Sequence, residues 1–364
     1  MRTDLRRGEC AHSRRVARAA ADGHRRSHDV LTRQGMRLED KGPSYFALAL
    51  ALAHVLSVIG AVVLFILRMS RALIRRTYSG DALPSRRTRN AAERAILAKQ
   101  GGQILVLELE GAVFFGSVDR LADAIERARG NGAHFVILDL ARVTDVDMTG
   151  ARLIAQLHAD LAARGGHLLV ASLTELTHWG RMLRDLDVTT AVVGDWPFPD
   201  VDRAIEWAED QILAAAGDVT VDDEVGFEDL DVFRGLSQAQ LATVRTTLEP
   251  RRYAKGEVVF AEGAKGSELF FVLRGSASVK LQQDGSGMRL VSFSAGTAFG
   301  ELALLDGAPR SATVLADGEL LCLVLTETAF KTLQKDHPAV AIQVITNLAR
   351  EVSNSLRRAT RTIR

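Results

Sequence analysis

Glu301 and Arg310 stand nine residues apart within the stretch Phe299-Gly300-Glu301-Leu302-Ala303-Leu304-Leu305-Asp306-Gly307-Ala308-Pro309-Arg310-Ser311-Ala312-Thr313-Val314. Their types suit a small anion that carries a neighbouring diol. An arginine offers a planar fork that matches a phosphate. A carboxylate accepts hydrogen bonds from a diol hydroxyl. Gly300 lets the backbone approach closely. Glu301 opens a short helical turn, whose free N–H groups favour the same anion. The plainer alternative is that Glu301 and Arg310 form a surface ion pair.

The stretch follows the pattern F-G-E-x-A-L, a short spacer, then P-R-x-A. In this it resembles the phosphate-binding cassette of the cyclic-nucleotide-binding domain family. The resemblance implies that Glu301 binds the ribose 2′-hydroxyl and Arg310 the cyclic phosphate. It implies that Gly300 and the amides near Leu302 and Ala303 assist, and that Ser311 lies beside phosphate or base. Ser311-Ala312 leans towards cAMP, since cGMP-selective members favour threonine after the arginine. No metal is expected.

These residues need a rigid frame. Residues 250–325 read as short strands separated by turns at Gly256, Gly263, Gly266, Gly275, Gly285-Ser286-Gly287 and Gly296, which suits a β-roll of jelly-roll type. Strands are expected at Leu269–Leu273, Ser276–Leu281, Thr313–Leu315 and Leu320–Leu325. Ser237 is expected to cap a helix over Gln238–Leu248. Pro338 opens a final helix, Ala339–Ile363, with an apolar stripe of Ile345, Leu348, Val352 and Leu356. The stripe either caps the nucleotide module or pairs two subunits as a homodimer. The whole module is placed at 232–364.

Residues 103–216 alternate strand and helix. Strands are expected at Gln103–Leu109, His134–Leu140 and His167–Ala171. Helices are expected at Ser117–Arg129, Thr149–Ala163, Thr174–Leu186 and Asp200–Ala214. This order implies an α/β layer on a largely parallel sheet, with Ser117 and Thr149 as N-caps. The runs Leu107-Glu108-Leu109-Glu110-Gly111 and Val143-Thr144-Asp145-Val146-Asp147-Met148-Thr149-Gly150 resemble the STAS domain. The resemblance aligns Thr149 with a phosphorylatable hydroxyl, which Asp147 could orient. The plainer reading of the residue's own type and place is a helix cap.

Phe46–Leu67 is a run of 22 residues without formal charge. At 1.5 Å per residue it would span about 33 Å. One N-terminal transmembrane helix over 45–68 is therefore expected, with Arg68, Arg71, Arg75 and Arg76 marking a cytoplasmic C-terminal side. The 44 residues before it hold eleven Lys/Arg and six Asp/Glu and read as a basic disordered tail, 1–44, with Met36 as an alternative start. Residues 69–102 read as a juxtamembrane linker ending in a helix over Ala91–Lys99, its basic residues either on anionic lipid headgroups or simply solvated. The acidic stretch 217–231 reads as an interdomain linker.

A net charge of +1 and two distant cysteines, Cys10 and Cys322, leave no nucleic-acid footprint, disulfide framework or metal pair. A membrane helix followed by STAS resembles the C-terminal end of a SulP-family anion transporter. The expected protein is thus a membrane-anchored regulator that binds a cyclic nucleotide and signals through STAS to a membrane transporter subunit or another STAS-binding protein. The alternative is a truncated anion (sulfate) transporter fragment that needs a separate transport subunit. The chain stops at Arg364, after the final helix, so no helix-turn-helix is expected, and no enzymatic domain either.

Overall fold

The computed structural model describes residues 44–69, 73–173, 177–185, 198–217, 224–266, 268–283 and 286–362. The expected basic tail lies outside these residues except for Ser44, as does 218–223 of the acidic stretch. The chain divides into two units, residues 1–70 and 71–364.

In the first unit, helix α1 covers Ser44–Met69. The apolar side chains described along it, among them Leu48, Leu52, Leu56 and Ile59, are exposed. Among the described residues no helix is long and apolar enough to cross a membrane. The expected transmembrane helix is thus not found.

The second unit begins with β1, Ile74–Ser79. It runs antiparallel to β3, Ile104–Val113, at the edge of a sheet ordered β1-β3-β4-β5, with β4 at Phe135–Val146 and β5 at His167–Ala171. The pairs β3–β4 and β4–β5 are parallel, as the alternation of strand and helix implied. Before β3 come the short strand β2, Arg87–Thr88, and helix α2, Ala91–Gln100, held by a capping box on Asn90.

Helices α3 (Phe115–Gly130), α4 (Met148–Ala163), α5 (His178–Asp185) and α6 (Val201–Ala215) complete this module. Alternate strand residues divide the core. Leu107, Leu109, Val136, Leu138, Leu168 and Val170 pack with Leu121, Ile125, Ile154, Leu161 and Leu183 of α3, α4 and α5. Ile104, Val106, Phe135, Ile137 and Leu169 pack with Ala204, Ile205, Ala208 and Ile212 of α6. Burial on both faces explains why these strands read as continuous apolar runs.

Helix α3 begins at Phe115, which puts Ser117 inside its first turn and not at the cap. The cap of α4 is Asp147, whose Oδ1 accepts from Gly150 N–H at 2.6 Å, and not Thr149. The early carboxylate wins because its acceptor reaches the free amides of the first turn.

The second module contains α7 (Gln238–Arg245) capped by Ser237, then β6 (Leu248–Tyr253), β7 (Val258–Phe260), β8 (Leu269–Arg274), β9 (Ala277–Gln283), β10 (Ser286–Phe293) and β11 (Ala298–Phe299). After these come α8 (Glu301–Asp306), β12 (Thr313–Ala316), β13 (Leu320–Leu325), α9 (Glu327–Asp336) and α10 (Pro338–Thr362). Two sheets form, ordered β2-β10-β9-β12-β7 and β11-β8-β13-β6. Phe270, Val272, Val279, Phe299, Val314, Cys322 and Val324 form a common core. The alternate residues of β8 and β13, such as Phe271 and Leu321, pack instead with helical residues Phe233, Val244, Phe330 and Leu348.

The face of α10 that packs is Val340, Ala341, Val344 and Leu348, with Ile345 half-buried. Leu356 of the expected stripe is exposed. Asn347 anchors the helix, since its buried amide donates to the Val232 and Arg234 carbonyls, both at 2.9 Å.

The described parts of both stretches read as linkers are packed. Arg87 and Thr88 pair in parallel with Ser292 and Phe293 of β10. Arg87 and Arg89 are buried, not spread on lipid or solvent: Arg87 Nη1 meets Glu206 and Asp210 at 3.1 Å, and Arg89 meets Glu209 at 3.0 Å and Asp210 at 2.7 Å. Ser85 adds N–H and Oγ–H bonds to Glu209 at 2.9 and 2.6 Å. Within the acidic stretch, Phe227 and Leu230 are buried, and Asp231 accepts from Ala91 N–H at 2.7 Å. Buried charges must be matched, and these matches tie segment 85–94 to α6.

Beside this cluster, burial raises the Asp202 carboxyl to about 6 from the ordinary 3.8, against a hydrogen bond from Arg86 N–H and with repulsion from Glu206 adding to the rise. The folded chain therefore holds an extra proton between the two values. This group's contribution to stability is greatest below that window and is lost as pH rises through it. Asp202→Asn keeps the acceptor and removes the titration. Thermal unfolding should show the variant gaining on the parent chain between pH 4 and pH 7; a pH-independent difference would refute the assignment.

Candidate ligand-binding site

The site is built where β11 hands over to α8. Ala298 and Phe299 pair with Phe271 and Phe270 of β8. The chain then turns at Gly300, in the left-handed region at φ 85°. After a helix of only six residues, Gly307 ends it in the same region, its N–H bonded to the Ala303 carbonyl at 3.1 Å. The return strand is clipped at Arg310, whose N–H donates to the Ala264 carbonyl at 3.0 Å while its carbonyl accepts from Gly263 N–H at 2.8 Å.

These constraints drive the Arg310 side chain inward. It is 4% exposed. Nη1 donates to the Gly300 carbonyl at 3.0 Å and Nη2 to the Glu268 carbonyl at 2.9 Å. The guanidinium carbon lies 4.1 Å from the Phe260 ring centroid and 5.7 Å from that of Phe270. Burial lowers the pKa of Arg310, and Glu268 and Glu301 oppose that shift without cancelling it. The cation is thus held by neutral carbonyls and ring faces. An anion at this place would relieve its desolvation directly.

Glu301 sits half-buried at the first position of α8. Burial raises its carboxyl, against Arg310 and the backbone amides of Gly300 and Glu301. Ala303 is buried, whereas Leu302 and Ser311 are exposed and Ala312 packs against the core. The structure therefore brings together Gly300, Glu301 and Arg310, and Glu301 and Arg310 are not an exposed ion pair. Thr149 lies apart from them, exposed in the first turn of α4.

Sequence reasoning missed Phe260, Phe270 and the Glu268 carbonyl. Phe260 and Phe270 read as ordinary strand residues. A backbone acceptor carries no sequence signal at all.

Residues 250–337 match the family described as the cyclic nucleotide-binding domain, and residues 95–187 match the STAS domain. The chain carries both domains. It is 32% identical over 285 residues to "Glutaminase 2" of Bradyrhizobium diazoefficiens, which covers 77% of this chain and 44% of that protein. It is also 32% identical over 274 residues to "Glutaminase 1" of the same organism, 75% of this chain and 43% of that protein. A "cAMP-dependent protein kinase regulatory subunit" from Mycosarcoma maydis is 40% identical over 110 residues, 29% of this chain and 21% of that protein. The chain spans less than half the length of the curated glutaminase relatives it matches. These findings correct the expectation that no enzyme is involved: proteins sharing three quarters of this chain are named for an enzymatic activity. Membership of the SulP family is not shown by them.

A Cβ on Gly300 would come 2.8 Å from Arg310 Nη1 and 3.0 Å from the Glu268 carbonyl, on top of the strain at positive φ, whereas one on Gly307 would meet nothing within 4 Å. Gly307→Ala should cost about 1–2 kcal/mol from its left-handed backbone. Gly300→Ala should cost more and displace the guanidinium. Equal urea midpoints for the two variants would contradict this packing.

Proposed function

We propose that this chain is a membrane-associated regulator whose nucleotide module binds cAMP, with Arg310 on the cyclic phosphate and Glu301 on the ribose 2′-hydroxyl. The observation that carries this reading is the buried, under-compensated guanidinium of Arg310 beside Glu301 at the start of α8. The amides of Leu302 and Ala303 would add donors to the phosphate. Ser311, next to the arginine and exposed, stands where it can meet the ligand, and Ser311-Ala312 favours cAMP over cGMP. The likeness to a kinase regulatory subunit named for cAMP supports the same ligand.

The STAS module passes the signal on. Thr149, exposed at the start of α4, is its proposed phosphorylation point. The partner is a membrane protein, a transport subunit of SulP type among the candidates. The exposed apolar side chains of α1 support contact with lipid, and the STAS and nucleotide modules would lie on the cytoplasmic side. The full chain should float with anionic liposomes and a chain lacking 44–69 should not; equal flotation would remove the membrane from the reading.

A second reading follows from the named relatives: the signal controls hydrolysis of glutamine, whether by this chain or by a catalytic partner. Calorimetry should show Arg310→Ala weakening cAMP binding roughly ten- to hundredfold, from the loss of charged hydrogen bonds worth about 1.5–3 kcal/mol. Unchanged affinity would overturn the site. Ammonia release from glutamine, measured on the same samples with and without cAMP, decides the second reading: cAMP-dependent release supports it, and none in either condition removes this chain as the hydrolase.

A further inference from the structure

We propose that the turn Ser294–Thr297 and the buried arginines Arg87 and Arg89 couple nucleotide occupancy at Arg310 to the seating of α6 in the STAS module. This rests on the cyclic-nucleotide reading above and names its route of regulation.

The turn is fastened on both sides. Towards the ligand site, Gly296 N–H donates to the Val272 carbonyl and Val272 N–H to the Thr297 carbonyl, both at 2.9 Å. Two residues away along β8, Phe270 stacks on Phe299 at 5.1 Å and lies under Arg310. From Thr297 the chain needs only β11 to reach Gly300. Any change in Arg310 or Glu301 therefore acts on a short, packed segment.

Towards the STAS module, Ser294 N–H and Oγ–H both donate to the Thr88 carbonyl, at 3.1 and 3.0 Å, and Ser294 Oγ lies 3.2 Å from Glu93 Oε2. Asn90 Nδ2 donates to the Ala295 carbonyl at 3.4 Å. A Cβ on Gly296 would stand 2.9 Å from that of Asn90, so the turn and the segment are in direct contact. Thr88 is flanked by Arg87 and Arg89, which hold Glu206, Glu209 and Asp210 of α6. Arg289 of β10 reaches Glu206 at 2.5 Å as well, and also contacts Ser292.

The cluster holds donors that a second arrangement could satisfy. Arg87 Nε and Arg289 Nε and Nη1 are buried and meet no acceptor among the described residues. Unmet buried donors cost free energy that a repacking could recover. A few acids and arginines that can exchange partners form an element with discrete alternatives, which is what coupling between sites requires. Coupling of this kind is reciprocal, so α6 seating would also set cAMP affinity.

Hydrogen–deuterium exchange on the full chain tests this. Saturating cAMP should change exchange in 85–94 and 201–215 by about fivefold or more, the ordinary lower range of site-to-site coupling. Ser294→Ala should keep cAMP affinity within about twofold by calorimetry, keep the response at 300–310, and lose it at 201–215. If that variant fails to fold, Arg289→Met, which cuts the link from β10 to Glu206, replaces it with the same expected result. A response at 300–310 without one at 201–215 in the parent chain overturns the coupling, as does a folded variant that retains the full α6 response. Absence of cAMP binding to the parent chain overturns the nucleotide reading itself, and the coupling with it.

Discussion

A guanidinium does not give up its proton at any ordinary pH, so an arginine taken out of water obliges the fold to bring acceptors to it. This chain meets that obligation in two ways. Arg87 and Arg89 receive full carboxylates from α6. Arg310 receives two backbone carbonyls and the faces of two phenylalanines. The first arrangement pairs charge within the chain and ties segment 85–94 to α6. The second holds the cation by neutral carbonyls and ring faces, with no carboxylate bonded to it among the described contacts.

The same constraint makes the two modules one unit. The acids on α6 follow Arg87 and Arg89 by well over a hundred residues, and Arg87 lies in, and Arg89 just after, a strand that belongs to the sheet of the nucleotide module. Removing one side of such a cluster leaves a buried charge unpaired, at a cost of about 3–5 kcal/mol. Segment 85–94 is therefore a shared part of both modules, and its burial follows from that role. The described half of the acidic stretch behaves likewise, with Phe227 and Leu230 in the core and Asp231 on the first turn of α2.

The site illustrates how much a local motif can carry. The handover from Phe299 to Gly300 to Glu301 needs a positive φ and a small residue, and the return at Arg310 needs a short spacer; both are visible in order and spacing. What holds the arginine is not visible there. Glu268 contributes a carbonyl, which every residue possesses, and Phe260 and Phe270 are strand residues like their neighbours. Likewise, Asp147 and Thr149 are both plausible caps by type, and the choice fell to the side chain that reaches Gly150 N–H.

By itself, the sequence determined the alternation of strand and helix in 103–216, the strand-and-turn character of 250–325, and the Glu301–Arg310 cassette. Each is a property of period and short spacing, which the chain expresses locally. Tertiary structure decided that Arg87 and Arg89 are buried, that Glu206, Glu209 and Asp210 face them, and that the described parts of the stretches read as linkers are packed. It also decided which face of α10 docks, through Asn347 and Val344 and not through Leu356. A charge looks solvated in any one-dimensional reading. Only the partner that arrives from far along the chain makes its burial affordable, and that partner is chosen by the fold.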